Sequence, residues 1–174
     1  MQDGCLFCRL IHGELPSHRV CDDAYVVVLL PRQPVNPGHV MVVTRQHVDS
    51  FYDADEPTYT HLMQVVKRIA VAIKVAFTPV QVVMETSGIG NRHVHVHVIP
   101  VHGLYDLIPK EIMDQQEAQP PASDEQLATV AQRLQRCLVA SAADPPGSHR
   151  ASTAAGDRDP ALPGQETHAA PSLL

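Results

Sequence analysis

His93-Val94-His95-Val96-His97-Val98-Ile99-Pro100 alternates imidazole with β-branched side chains at a period of two. A β-strand sends successive side chains to opposite faces, so this spacing predicts a strand over His93 to Ile99 with all three imidazoles on one face. A slip of one residue would push three polar rings into the core and three valines into water, which specifies the register strongly. Same-face neighbours lie about 6.6 Å apart, so adjacent rings can reach adjacent atoms of one small ligand or divide between a metal and a substrate. One histidine on a strand is ordinarily a polar surface residue. Three interleaved with β-branched residues, away from the termini where purification tags sit, point to a site.

Working outward, Val26 to Leu30, Val40 to Thr44 and Val80 to Thr86 are also rich in β-branched residues and bounded by Pro, Gly or Asn, with Arg19 to Cys21 as a fifth candidate strand. Asp55 followed by Pro57 opens a helix whose apolar positions Leu62, Val66, Ile69, Ile73 and Phe77 step by three or four. Ser123-Asp124-Glu125 precedes a second helical spacing at Leu127, Val130, Leu134 and Leu138. Connections such as Pro31 to Gly38 are too short for a crossover helix, so the sheet is expected to be mainly antiparallel, of about five strands. The expected class is α+β, with one long helix and a C-terminal helix.

The 174 residues are 44% hydrophobic, with no apolar run long enough to cross a bilayer. The N-terminus lacks the basic start and apolar centre of a signal peptide, so one soluble cytoplasmic domain with an appendage and no membrane partner is expected. Every aromatic residue lies at or before Tyr105. The expected organisation is a domain over 1–110, a linker and helix over 111–143, and a disordered Ala/Pro-rich tail over 144–174. Residues 1–110 carry 9 basic and 10 acidic groups and residues 111–174 carry 4 and 9, so most of the net charge of −6 is peripheral. That balance argues against a nucleic-acid polymer as partner and leaves small nucleotides open. Cys5, Cys8, Cys21 and Cys137 are too few and too unevenly spaced for a disulfide framework. For Cys5-x-x-Cys8 a metal pair is therefore favoured, with a redox pair or two packed thiols as the alternatives.

Neutral imidazole, with an ordinary pKa of about 6.5, is suited to act as nucleophile or proton donor near neutral pH. Attack on an α-phosphorus splits one hard displacement into two easier ones, and a neighbouring histidine can hydrogen-bond the phosphoryl oxygens as charge develops.

His-hydrophobic-His-hydrophobic-His followed by two apolar residues resembles the signature of the histidine triad nucleotide-binding proteins. Two further stretches agree. Cys5-Leu6-Phe7-Cys8-Arg9-Leu10-Ile11-His12-Gly13-Glu14-Leu15-Pro16-Ser17 resembles the amino-terminal motif of many bacterial members, and Pro34-Val35-Asn36-Pro37-Gly38-His39-Val40-Met41-Val42-Val43 resembles the family's central turn and strand. The resemblance covers roughly residues 5 to 108. It implies that His95 is a nucleophile that becomes transiently nucleotidylated and that His97 binds the transferring phosphoryl group. It also implies that Cys5, Cys8, His47 and His93 occupy the four positions of a structural zinc, a closed tetrahedral set with no open position for substrate. His39 lies near the nucleophile in the family, although by itself it reads equally as a structural histidine.

Two departures from the family bear on substrate. Many relatives place Asp or Asn, which binds the ribose hydroxyls, where this chain has Pro31, which has no hydrogen-bonding side chain. The glycine-rich loop before the triad is shortened to Ser87-Gly88-Ile89-Gly90-Asn91-Arg92, leaving Ser87, Asn91 and Arg92 as candidate phosphate donors. The implied activity is a nucleotide hydrolase or transferase, foremost a nucleoside phosphoramidase. The alternatives are a dinucleoside polyphosphate hydrolase, a nucleotide-binding protein with little catalysis, and a metal-dependent hydrolase whose three triad histidines share a catalytic zinc. The implied partners are a small-molecule nucleotide and, as in relatives, a second copy in a homodimer.

Overall fold

Runs joined by turns too short for a crossover pair with neighbours running the opposite way, and every neighbouring pair in the sheet is antiparallel, including one whose strands are not consecutive in the chain. The computed structural model describes residues 4–86, 88–103 and 120–142. Strands β1 (Arg19–Asp22), β2 (Val26–Leu29), β3 (Val40–Thr44), β4 (Gln81–Glu85) and β5 (His95–Val101) form one sheet. Their order is β1-β2-β3-β5-β4, and every adjacent pair is antiparallel. The α-helices among the described residues are α1 (Leu6–Ile11), α2 (Glu56–Phe77) and α3 (Asp124–Ala142), with a 3-10 turn at Phe51–Asp53. The α+β class and the five-stranded antiparallel sheet are as expected. Among the described residues no helix is long and apolar enough to cross a membrane.

Alternation divides the core between the two faces of the sheet. Val26, Val28, Val40, Val42, Val94, Val96 and Val98 pack with Leu62, Val66, Ile69 and Ile73 of α2 and with Leu127, Ala131 and Leu134 of α3. On the opposite face Val27, Leu29 and Val43 lie beneath Phe7 and Ile11 of α1. The triad valines therefore do anchor the strand, as their period requires.

Local chemistry sets the helix ends. The Asp55 carboxylate accepts the Thr58 N–H at 2.7 Å and Pro57 stands in the first turn of α2. Ser123 and Gln126 exchange side-chain and backbone bonds across the start of α3. Gln135 of α3 donates from Nε2 to the Val20 carbonyl at 3.0 Å, covering the free edge of β1. Gly38 has φ +102, and a Cβ there would lie 2.7 Å from Phe77 Cδ2, so the turn before β3 closes tightly on the end of α2.

The sequence reading is corrected in several places. β5 begins at His95, because the His93 N–H donates to Asn91 O at 2.9 Å and the Val94 N–H to Val48 O at 2.8 Å, withdrawing both from the ladder. β4 is trimmed at both ends, β2 stops at Leu29 and β1 runs on to Asp22. α1 was not expected, since six residues are too few to display a helical period. The expected tail over 144–174 lies outside the described residues, as does most of the expected linker.

Leu134 is fully buried in the core shared by α2, α3 and the sheet. Leu134→Ala is expected to cost about 2–5 kcal/mol in urea unfolding followed by circular dichroism, with one cooperative transition. A separate early loss of helix with the main midpoint unchanged would show that α3 is not part of the folding unit.

Candidate functional site

Backbone groups decide which ring nitrogen of each histidine carries its proton. His95 Nδ1 lies 2.6 Å from the His93 carbonyl oxygen, which can only accept, so Nδ1–H donates and Nε2 is left with its lone pair. The Val35 N–H donates to His39 Nδ1 at 3.1 Å, which places the His39 proton on Nε2. His39 Nε2 is 2.9 Å from His97 Nδ1, so His39 donates, His97 accepts, and the His97 proton stands on Nε2. Among the described residues neither His95 Nε2 nor His97 Nε2 has a protein partner. The two rings are 5.1 Å apart, centre to centre, at 75°. One unprotonated nitrogen and one N–H are thus presented side by side.

Burial keeps the supporting histidines neutral. Together with a smaller effect of a neighbouring imidazole, it pushes His39 down to about 3 and His97 to about 4. His95 is buried against Phe7, with ring centres 4.5 Å apart. His95 and His97 open onto a cavity of about 500 Å³ that His39 and Asn91 also line.

A second cluster lies beside the first. Single donor atoms of Cys5, Cys8, His47 and His93 all fall within 4.8 Å of one another. Cys8 Sγ is 3.3 Å from His47 Nδ1 and 3.6 Å from His93 Nδ1, and Cys5 Sγ is 3.4 Å from His93 Nδ1. A tetrahedral ion with sulfur and nitrogen ligands at ordinary zinc distances would hold those atoms about 3.6 Å apart. The other ring nitrogens are spoken for: His93 Nε2–H donates to Thr44 O at 2.7 Å and His47 Nε2–H to Asp49 Oδ1 at 3.0 Å. Both Nδ1 lone pairs therefore face the thiols, the arrangement a metal ligand needs. Burial lowers the pKa of His93 and so favours the neutral ring.

The sequence candidates thus separate into two groups. His95, His97, His39 and Asn91 share the cavity. Cys5, Cys8, His47 and His93 gather beside it. Arg92 lines other hollows, with Asp49, Thr86 and His93 in one and with Gly4, Cys5 and His47 in another, and not the cavity of His95. Ser87 lies outside the described residues. Among the described residues the one potential metal cluster includes His93 and leaves out His95 and His97, so the triad divides between the two groups. Sequence reasoning missed the walls supplied by Leu6 and Leu10 of α1, by His18 and Arg32, and by Leu127 of α3. It also missed Asp49, which the spacing His47-x-Asp49 could have flagged.

The HIT domain model matches residues 12–104, more than half of the chain. The chain belongs to the HIT family. This HIT protein is 30% identical over 109 residues to protein hit of Bacillus subtilis, an alignment covering 60% of this chain and 75% of that one. It is 30% identical over 99 residues to adenosine 5'-monophosphoramidase HNT1 of Saccharomyces cerevisiae, covering 55% and 61%. A Hit-like protein from Bartonella henselae superposes with a TM-score of 0.68 at 25% identity, covering 79% of this chain and 98% of that one.

His39 and His97 take up protons more readily in the unfolded chain, near pH 6.5, than in the fold, where they do so at about 3 and 4. Their contribution to stability is therefore complete above pH 6.5 and declines as pH falls toward 4 and then 3. His39→Gln is expected to flatten this dependence, measured as the difference in urea midpoint from wild type between pH 7.5 and pH 4.5. Parallel curves for the two proteins would refute the assignment.

Proposed function

We propose that this HIT protein cleaves at the α-phosphorus of a nucleotide conjugate through a covalent nucleotidyl intermediate on His95, acting foremost as a nucleoside phosphoramidase. The observation that carries this reading is the pairing of an unprotonated His95 Nε2 with the His97 Nε2–H at one cavity. His95 Nε2 attacks phosphorus, forming a P–N bond as the bond to the leaving amine breaks. The amine leaves with that electron pair and a proton from solvent. The His97 N–H donates to a phosphoryl oxygen as charge develops there. Water then attacks phosphorus, the bond to His95 breaks, and the nucleoside monophosphate departs as the surplus proton returns to solvent. The backbone carbonyl of His93 holds the His95 ring in the reactive tautomer throughout. The activity named for the yeast relative supports a phosphoramidate over other conjugates.

Cys5, Cys8, His47 and His93 are proposed to hold zinc. Bound there, it supplies a structural cross-link between α1 and the segment entering β5, with no open coordination position. Thiolate ligands need a reducing compartment, which favours the cytoplasm. A homodimer is proposed through β4, an edge strand of the sheet among the described residues that carries exposed Met84 and follows exposed Val80.

Wild-type protein incubated with an adenosine phosphoramidate is expected to release AMP, followed by chromatography, while folded His95→Ala releases none. Release by both proteins would refute the nucleophile, and faster turnover of a diadenosine polyphosphate would move the assignment to that class. Elemental analysis is expected to find one zinc per chain, and Cys8→Ser should lower it by weakening the site. Light scattering should return twice the chain mass.

A further inference from the structure

The cavity that holds His95 and His97 carries further polar groups. Alongside apolar residues such as Leu10, Leu29 and Met41, its lining includes Ser17, His18, Arg32 and Gln33. No Asp or Glu lines this cavity among the described residues. A ribose diol is commonly held by a carboxylate that accepts from both hydroxyls, whereas a nearby arginine suits a phosphorylated ribose. Arginine has only donors, in a fork that matches phosphoryl oxygens.

Asp124, at the start of α3, joins two of these groups. Its Oδ1 accepts from Arg32 Nη1 and from His18 Nε2, each at 2.9 Å. The carboxylate does not line the cavity, and Arg32 spends one nitrogen of its guanidinium on it. The remaining guanidinium donors have no side-chain partner among the described residues. The shared carboxylate thereby brings Arg32 and His18 together, with the Arg32 side chain about half exposed.

Resting on the nucleotide reading above, we propose that the substrate's sugar carries a second phosphoryl group, at the 2' or 3' position, bound by Arg32. The preferred nucleotide unit is then a nucleoside 2',5'- or 3',5'-bisphosphate, with its 5'-phosphorus at His95 and its second phosphate at Arg32 in the same cavity.

The test is calorimetric titration of the full chain with AMP, adenosine 2',5'-bisphosphate and adenosine 3',5'-bisphosphate. At least one bisphosphate is expected to bind about tenfold or more tighter than AMP, as a charge-assisted contact would provide. Arg32→Gln should erase that advantage, bringing bisphosphate and AMP affinities together, with thermal melting confirming that the variant folds. AMP binding with no bisphosphate advantage, or an advantage that survives Arg32→Gln, overturns this inference alone. Failure of all three ligands to bind overturns it together with the nucleotide reading.

Discussion

Two bonds made by His93 hold the site together. Its ring, fully buried, donates from Nε2 to the Thr44 carbonyl and turns Nδ1 toward Cys5 and Cys8. Its own carbonyl accepts the proton of His95 Nδ1. One residue thus joins the four-donor cluster to the ring that faces the cavity. Because both contacts run through the segment just before β5, any displacement there would be felt at the sulfur cluster and at His95 together.

That segment stays in place because the strand following it is committed on both sides. Val94, Val96 and Val98 are packed into the larger core under α2 and α3. On the opposite face Phe7 lies against His95 and His93, and His39 bonds His97. Main-chain groups fix the protons: the Val35 N–H and the His93 carbonyl each have only one role in a hydrogen bond, so the histidines they meet have only one tautomer. The turn that carries Val35 is held in turn by Gly38 closing on Phe77. The polarity of the site is therefore a consequence of backbone geometry more than of side-chain choice.

The cavity itself is a composite. α1 supplies Leu6, Phe7 and Leu10, the turn after β2 supplies Pro31, Arg32 and Gln33, and α3 supplies Leu127. α3 begins beyond the residues matched by the family model, yet it shares the main core and places Asp124 against Arg32 and His18. Chemistry rests on β5, while the character of the remaining lining depends on elements distant in sequence.

By itself the sequence determined the α+β class, the strand carrying the triad, the capped start of α2 at Asp55 and the helical spacing of α3, because each follows from a short-range period or a local cap. The same period placed the triad valines in the core. Grouping Cys5 and Cys8 with His47 and His93 came from resemblance, since no local pattern relates residues 39 or 85 positions apart. Only the tertiary structure decided which nitrogen of each of these histidines is protonated, that His93 leaves the strand, that α1 exists, and that Arg92 lines hollows other than the cavity of His95. Those features depend on carbonyls, N–H groups and packing surfaces brought together from separate parts of the chain, and a linear pattern does not record such meetings. The link between Asp124, Arg32 and His18 has the same origin, spanning 92 and 106 positions.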